Sequence, residues 1–209
     1  PENIHTIGSP DLDILKSGNL PSIGAVKEKY EINFDSYAIL LFHPVTTELE
    51  LLVDHLELLI STLETTPHSF VVIYPNNDPG NDLIIEKYKF LHQRSNYKII
   101  PSMRFEYFLT LMKHCLFMIG NSSAGVREAP FFGIPAINVG TRQNGRASSQ
   151  TIFNCDFDAS QIITGIEKAS GKRYTPVRSF GDGESTKKFR EIMEAGSIFN
   201  IVIQKQFCD

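Results

Sequence analysis

The chain alternates short apolar runs with longer stretches whose apolar residues recur every three to four positions. Tyr37 to Phe42 (YAILLF) is the first strong run, and its continuous apolarity predicts a strand covered on both faces. Leu49, Leu52, Val53, Leu56, Leu59, Ile60 and Leu63 follow at helical spacing and place one apolar stripe along a helix. Thr47, with Glu50 three residues later, reads as a capping box at its start. Phe70 to Tyr74 predicts a second strand ended by the turn residues PNNDPGND, and Leu83 to Leu91 a second helix. Tyr97 to Ile100 then reads as strand, 104–114 as helix, 115–120 as strand, 124–132 as a short helix and 135–139 as strand. A loop rich in Gly, Arg and Ser leads to the run TIFNCDF, a helix near 158–169 and a last helix opening around Ser185. A strand-like signal is also expected almost at residue 1. Such alternation predicts an α/β fold, a Rossmann-like parallel sheet with helices on both faces.

In an open parallel sheet, ligands bind at the carboxyl ends of the strands. The loops to weigh are therefore 43–48, 75–82, 101–104, 120–128 and 140–149. The richest segment is Ile119 to Glu128, IGNSSAGVRE. A strand ends at Gly120, two hydroxyls follow at Ser122 and Ser123, and a helix begins. Free N–H groups, serine hydroxyls and a positive helix end suit a phosphate. The alternative is that Asn121 or Ser122 does no more than cap the helix. Glu128 favours the first reading, because a carboxylate one and a half turns past the serines pairs well with the diol of a ribose.

Arg142 and Arg146, in GTRQNGR, are either solvated loop residues or a bidentate partner for the phosphate. His43 closes the first strong strand before Pro44 and is open to a structural or a catalytic role.

Composition narrows the function classes. The 209 residues are 42% hydrophobic, enough for a real core and too apolar for a disordered chain. With 20 Lys plus Arg against 24 Asp plus Glu, the net charge is −4, a poor balance for general nucleic-acid binding. Cys115, Cys155 and Cys208 are odd in number and form no C-x-x-C pair, which argues against a zinc knuckle or a disulfide framework. Two of them sit in apolar runs as small hydrophobes. Such cysteine usage reads as a reducing, cytoplasmic compartment, and no apolar run approaches membrane length.

The combination of HPVTTE at 43–48, YPNNDPG at 74–80, IGNSSAGVREAPFFGIPAINVGTRQNGR at 119–146 and FGDG at 180–183 resembles the C-terminal half of the hydrolysing UDP-N-acetylglucosamine 2-epimerases. The likeness covers nearly the whole chain. Non-hydrolysing relatives typically carry His-Arg-Arg-Glu-Asn where His43 is here followed by PVTTE.

The resemblance implies one UDP-binding domain over residues 1–209, half of a two-domain fold of the glycosyltransferase B type. It implies that Ser122 and Ser123 hold the diphosphate, Glu128 the ribose hydroxyls and Met103 the uracil through its backbone. His43, Asn76 and Arg142 would line the diphosphate and sugar side, with His43 the catalytic candidate at the leaving oxygen. The implied reaction eliminates UDP and then adds water, without metal or cofactor. The substrate would be UDP-N-acetylglucosamine or a di-N-acetylbacillosamine relative.

The family's first half, associated with removal of the C2 proton, has no counterpart in these residues, so the chain is expected to be inactive alone. The full-length protein is a possible homo-oligomer. A stand-alone UDP-sugar-binding module and a UDP-sugar glycosyltransferase domain are the alternatives.

Overall fold

The computed structural model describes residues 4–196 and 199. They fall into two compact units, one spanning Leu20–Ser179 and the other built from the terminal segments up to Asn19 and from Phe180 onward. The larger unit holds all the strands. A six-stranded parallel sheet, in the order β3-β2-β1-β4-β5-β6, is formed by β1 (Ala38–Leu41), β2 (Phe70–Ile73), β3 (Tyr97–Ile100), β4 (Met118–Gly120), β5 (Ala136–Val139) and β6 (Ile152–Cys155). The α/β Rossmann-like fold read from the sequence is the one present. Strand order reverses between β1 and β4, so the topological switch point lies between their carboxyl ends.

Period-two alternation divides each strand between two cores. Ala38 and Leu40 face one apolar cluster with Leu52, Leu56, Leu59 and Leu63, whereas Ile39 and Leu41 face another with Leu111 and Met112. The first cluster is covered by α3 (Leu52–Glu64), α4 (Asn81–Leu91) and α7 (Ala159–Ala169), and the second by α2 (Ile23–Tyr30), α5 (Phe105–His114) and the short α6 (Ser123–Arg127). Cys115 and Cys155 are buried free thiols in these clusters, and Cys208 lies outside the described residues.

Several expected details differ. Residues 4–9 form no strand, and residues 1–3 lie outside the described residues. The chain instead enters through α1 (Asp11–Ser17) and α2, whose few apolar residues give a weak periodic signal. No Thr47–Glu50 capping box forms: a 3-10 turn at Leu49–Leu51 precedes α3, and its capping position, Glu48, makes no capping bond. The Glu48 carboxylate instead accepts a hydrogen bond from the Thr141 hydroxyl. The stripe on α3 is narrower than expected, since Val53 is exposed while Thr62 takes a buried place. The helix expected at 124–132 is α6 followed by a 3-10 turn at Ala129–Phe132, because Pro130 brings no N–H to continue an α-helix.

In the terminal unit, α8 (Ser185–Ala195) is anchored to α1 by Asp13. Its carboxylate accepts from the Ser185 and Thr186 N–H groups at 2.9 and 2.7 Å and from the Ser185 hydroxyl at 2.8 Å. These bonds hold the Asp13 carboxyl well below the usual carboxylate range, despite the opposing effect of burial. No helix among the described residues is long and apolar enough to cross a membrane.

Candidate functional site

The site is built at the switch point, where β1 and β4 end side by side. Gly120 closes β4 with φ 131°, and a Cβ there would lie 2.1 Å from the Leu41 carbonyl oxygen. Only glycine allows this approach. It brings the next residue, fully buried Asn121, against the backbone of His43. The Asn121 Oδ1 accepts from the His43 N–H at 2.7 Å, and its Nδ2 donates to the His43 carbonyl at 2.8 Å. One side chain thus satisfies both backbone groups of His43 and clamps the loops after β1 and β4 together.

His43 then reaches the loop after β2. Its Nδ1 accepts the Asn76 N–H at 3.0 Å, which puts the proton of a neutral imidazole on Nε2. The Asn76 Oδ1 is 3.2 Å from the same Nδ1 and would accept a proton carried there, so the two Asn76 groups favour opposite ring states. Burial decides the balance. Together with the Arg142 cation it pushes the His43 pKa down to about 4, against the pull of the Asn76 side chain and Asp78. The ring is therefore neutral at pH 7.

The Asn76 Nδ2 donates to Asp78 Oδ2 at 2.6 Å, and that oxygen lies 3.9 Å from Arg142 Nη2. Arg142 Nη1 in turn donates to the Asn121 carbonyl at 3.2 Å, beside Gln143 Nε2 at 2.9 Å. His43, Asn76, Asp78, Arg142 and Asn121 consequently form a closed polar ring. It links the loops after β1, β2, β4 and β5.

The Arg142 loop is fixed at its root. Gly140 has φ 80°, and a Cβ there would meet the Phe157 ring at 2.5 Å. That ring is itself stacked on His55 with centroids 3.6 Å apart. Arg142 is half-buried and Arg146 is exposed.

Of the other expected residues, Ser122 adjoins the ring through Asn121 and caps α6, its Oγ accepting from the Ala124 N–H at 3.3 Å. Of the two capping alternatives, Ser122 is the one realised. Ser123 opens α6, partly exposed, one residue beyond the cap. Glu128 is buried at the other end of α6, with Oε1 3.5 Å from Arg127 Nη2. Met103 follows β3, half-buried against the α2 and α5 core.

The ring thus unites His43, Asn76 and Arg142 with Ser122 alongside, while Ser123 and Glu128 lie at the two ends of α6 and Met103 follows β3. Asn121 as a clamp, Asp78 and Gln143 were not expected from the sequence. Gln143 is 2% exposed, and its Oε1 has no hydrogen-bond partner among the described residues. A buried amide with an open acceptor is the only signal that marks it.

The ring carries one guanidinium and one imidazole, with the Ser122 hydroxyl beside Asn121. No group of three or more His, Cys, Asp or Glu side chains among the described residues could hold a metal ion.

A doubly wound parallel sheet with a polar ring at its switch point places the molecule among the Rossmann-like α/β domains. Residues 1–194 match the family described as UDP-N-acetylglucosamine 2-epimerase, and the chain belongs to that family. It is 41% identical over 212 aligned positions to a Neisseria meningitidis serogroup B protein named UDP-N-acetylglucosamine 2-epimerase, covering 100% of this chain and 56% of that protein. Identity is 26% to the UDP-N,N'-diacetylbacillosamine 2-epimerase (hydrolyzing) of Legionella pneumophila, over 98% of this chain and 55% of the relative.

Among solved structures, Methanocaldococcus jannaschii UDP-GlcNAc 2-epimerase in complex with UDP-GlcNAc and UDP superposes with TM-score 0.71 and 17% identity. That match covers 93% of this chain and 56% of the other, and it shows the shared fold. The chain spans about half the length of the curated relatives it matches.

Proposed function

We propose that this chain is the UDP-binding domain of a hydrolysing UDP-N-acetylglucosamine 2-epimerase that works in the cytoplasm. The observation that carries the reading is the closed ring at the switch point, where Arg142 and the His43 Nε2–H stand beside the serine-capped start of α6. In this reading Arg142, Asn76, His43, Ser122 and Ser123 receive the diphosphate, Glu128 the ribose hydroxyls and Met103 the uracil.

The reaction proceeds by loss of the C2 proton to a base and cleavage of the C1–O bond. UDP leaves with the electron pair, and a C1=C2 double bond forms. Water then returns OH to C1 and a proton to the opposite face of C2. The oriented donors stabilise charge on the leaving diphosphate without having to transfer a proton to it. The diphosphate's own charge opposes the Arg142 field and raises the tendency of His43 to protonate, so His43 can donate from Nε2 at the departing oxygen.

The hydrolysing subtype rests on PVTTE after His43, and the base that takes the C2 proton is assigned to the family's other half. The 209 residues alone should bind UDP and turn nothing over.

The test uses the full-length protein with UDP-N-acetylglucosamine in D2O. Free UDP and N-acetylmannosamine carrying deuterium at C2 are expected. UDP-N-acetylmannosamine as the final product would overturn the hydrolysing assignment, and sugar transfer to an acceptor would replace the reaction class.

A further inference from the structure

Within the proposed diphosphate site, one group has the wrong sign. Asp78 Oδ2 accepts from the Asn76 amide at 2.6 Å, lies 3.9 Å from Arg142 Nη2, and contributes a negative field at His43. A single carboxylate thus addresses three of the groups that would meet the phosphates. Its two contacts are unequal. The one to Asn76 is a short hydrogen bond, whereas 3.9 Å to Arg142 is beyond hydrogen-bond range and leaves only Coulomb attraction between partly solvated groups. Arg142 can therefore turn from Asp78 to another anion without breaking a hydrogen bond to it. Its bond to the Asn121 carbonyl, from the other nitrogen, keeps the guanidinium at the site.

We infer that Asp78 is a tethered stand-in anion, which faces Arg142 when no diphosphate is bound, yields Arg142 to the incoming diphosphate while staying hydrogen-bonded to Asn76, and then repels the diphosphate so that UDP leaves readily. This inference rests on the diphosphate reading of the site. It makes Asp78 a positioning residue that sets how long UDP stays, rather than a group that touches the reacting atoms. The attachment to Asn76 matters here, because it holds the negative charge in place after Arg142 has turned away. A mobile surface carboxylate would swing into solvent and lose its effect.

Asp78→Asn keeps the shape and an acceptor for the Asn76 amide and removes only the charge. A unit charge at this distance under water-like screening corresponds to about a fivefold change in affinity. UDP titrated into the 209-residue chain should bind D78N about fivefold more tightly than wild type, mainly through slower dissociation in stopped flow. Uridine, which lacks phosphate, should bind both proteins equally, and the UDP difference should shrink as salt rises. A general structural disturbance would alter uridine and UDP binding together. Asp78→Ser removes the same charge and serves the same comparison if D78N does not fold.

Unchanged or weaker UDP binding by the folded charge-removed variant would overturn the inference while leaving the diphosphate reading intact. Wild type that binds UDP no better than uridine, or UDP binding indifferent to Arg142→Ala, would instead remove the diphosphate reading, and the role of Asp78 with it.

Discussion

Removing the Asn121 side chain tests the central joint of the site. Asn121→Ala deletes the acceptor for the His43 N–H at 2.7 Å and the donor to the His43 carbonyl at 2.8 Å, from a side chain that is fully buried. Each buried backbone group left without a partner costs about 1–3 kcal/mol. A water entering the vacated space could recover part of this, since the space is lined by those two polar groups. The expected net loss is roughly 2–4 kcal/mol, a large share of the 5–15 kcal/mol that holds a typical domain together. Asn121→Asp keeps the size and the acceptor but turns a second acceptor toward the His43 carbonyl, and should cost at least as much. Urea unfolding at constant m-value gives the stability change, and amide exchange at His43 localises it. UDP calorimetry on the folded variants should show weaker binding, because the loops after β1 and β4 are no longer held in register. A loss below about 1 kcal/mol, with His43 amide protection unchanged, would refute the two-bond clamp.

Three further outcomes follow from the same geometry. With the His43 pKa pushed down to about 4 from 6.5, the unfolded chain binds a proton below pH 6.5 that the folded chain refuses. The stability contributed by the neutral ring is therefore complete above about pH 6.5 and is lost as pH falls toward 4, by up to about 3 kcal/mol. An NMR titration of the ring gives the midpoint directly, and a midpoint at or above 6.5 in the ligand-free chain would contradict the assignment. Gly120→Ala places a methyl 2.1 Å from the Leu41 carbonyl oxygen at φ 131°, and should destabilise by about 2–5 kcal/mol in thermal or urea unfolding; a near-neutral result would mean the β1–β4 contact is slack. If Glu128 holds the ribose diol, Glu128→Gln should weaken UDP binding by about 1–3 kcal/mol and reduce the preference for UDP over 2′-deoxy-UDP, whereas an unchanged preference in calorimetry removes Glu128 from the ribose.

What the sequence made legible was the local physics. The apolar run before His43 and the periodic stretch after it identify β1 and α3, because burial on two faces and on one stripe leave different spacings. The short α1 and α2 carry too few apolar residues to register, and residues 4–9, where a strand was expected, form none. IGNSSAGVRE marked the anion-suited turn after β4, and spacing alone left Arg142 and Arg146 equal, the resemblance naming Arg142. In the structure Arg142 is half-buried and donates to the Asn121 carbonyl, a contact that needs β5 beside β4. Asn121 was even less accessible. Its role as a clamp requires β1 and β4 to be neighbours, bringing together residues 78 positions apart in the chain, a fact of strand order and not of spacing.

The strand order also bears on the electrostatics of the proposed site. Because Asn121 joins the loops at the switch point, the ring members are hydrogen-bonded before any ligand arrives except across the 3.9 Å gap between Arg142 and Asp78, and little ordering of these loops is left for the ligand to induce. Preorganisation of that kind, joined to several full positive charges, would hold a nucleoside diphosphate so firmly that product release would limit turnover. On the proposed reading, the ring's charge balance would counter this. His43 is neutral, Arg142 is the one cation in the ring, and Asp78 offsets it from 3.9 Å. The loops are thus held in place while the net charge between them is small. For the proposed elimination, this combination would let the donors face the diphosphate as its charge develops and then let the separated product go.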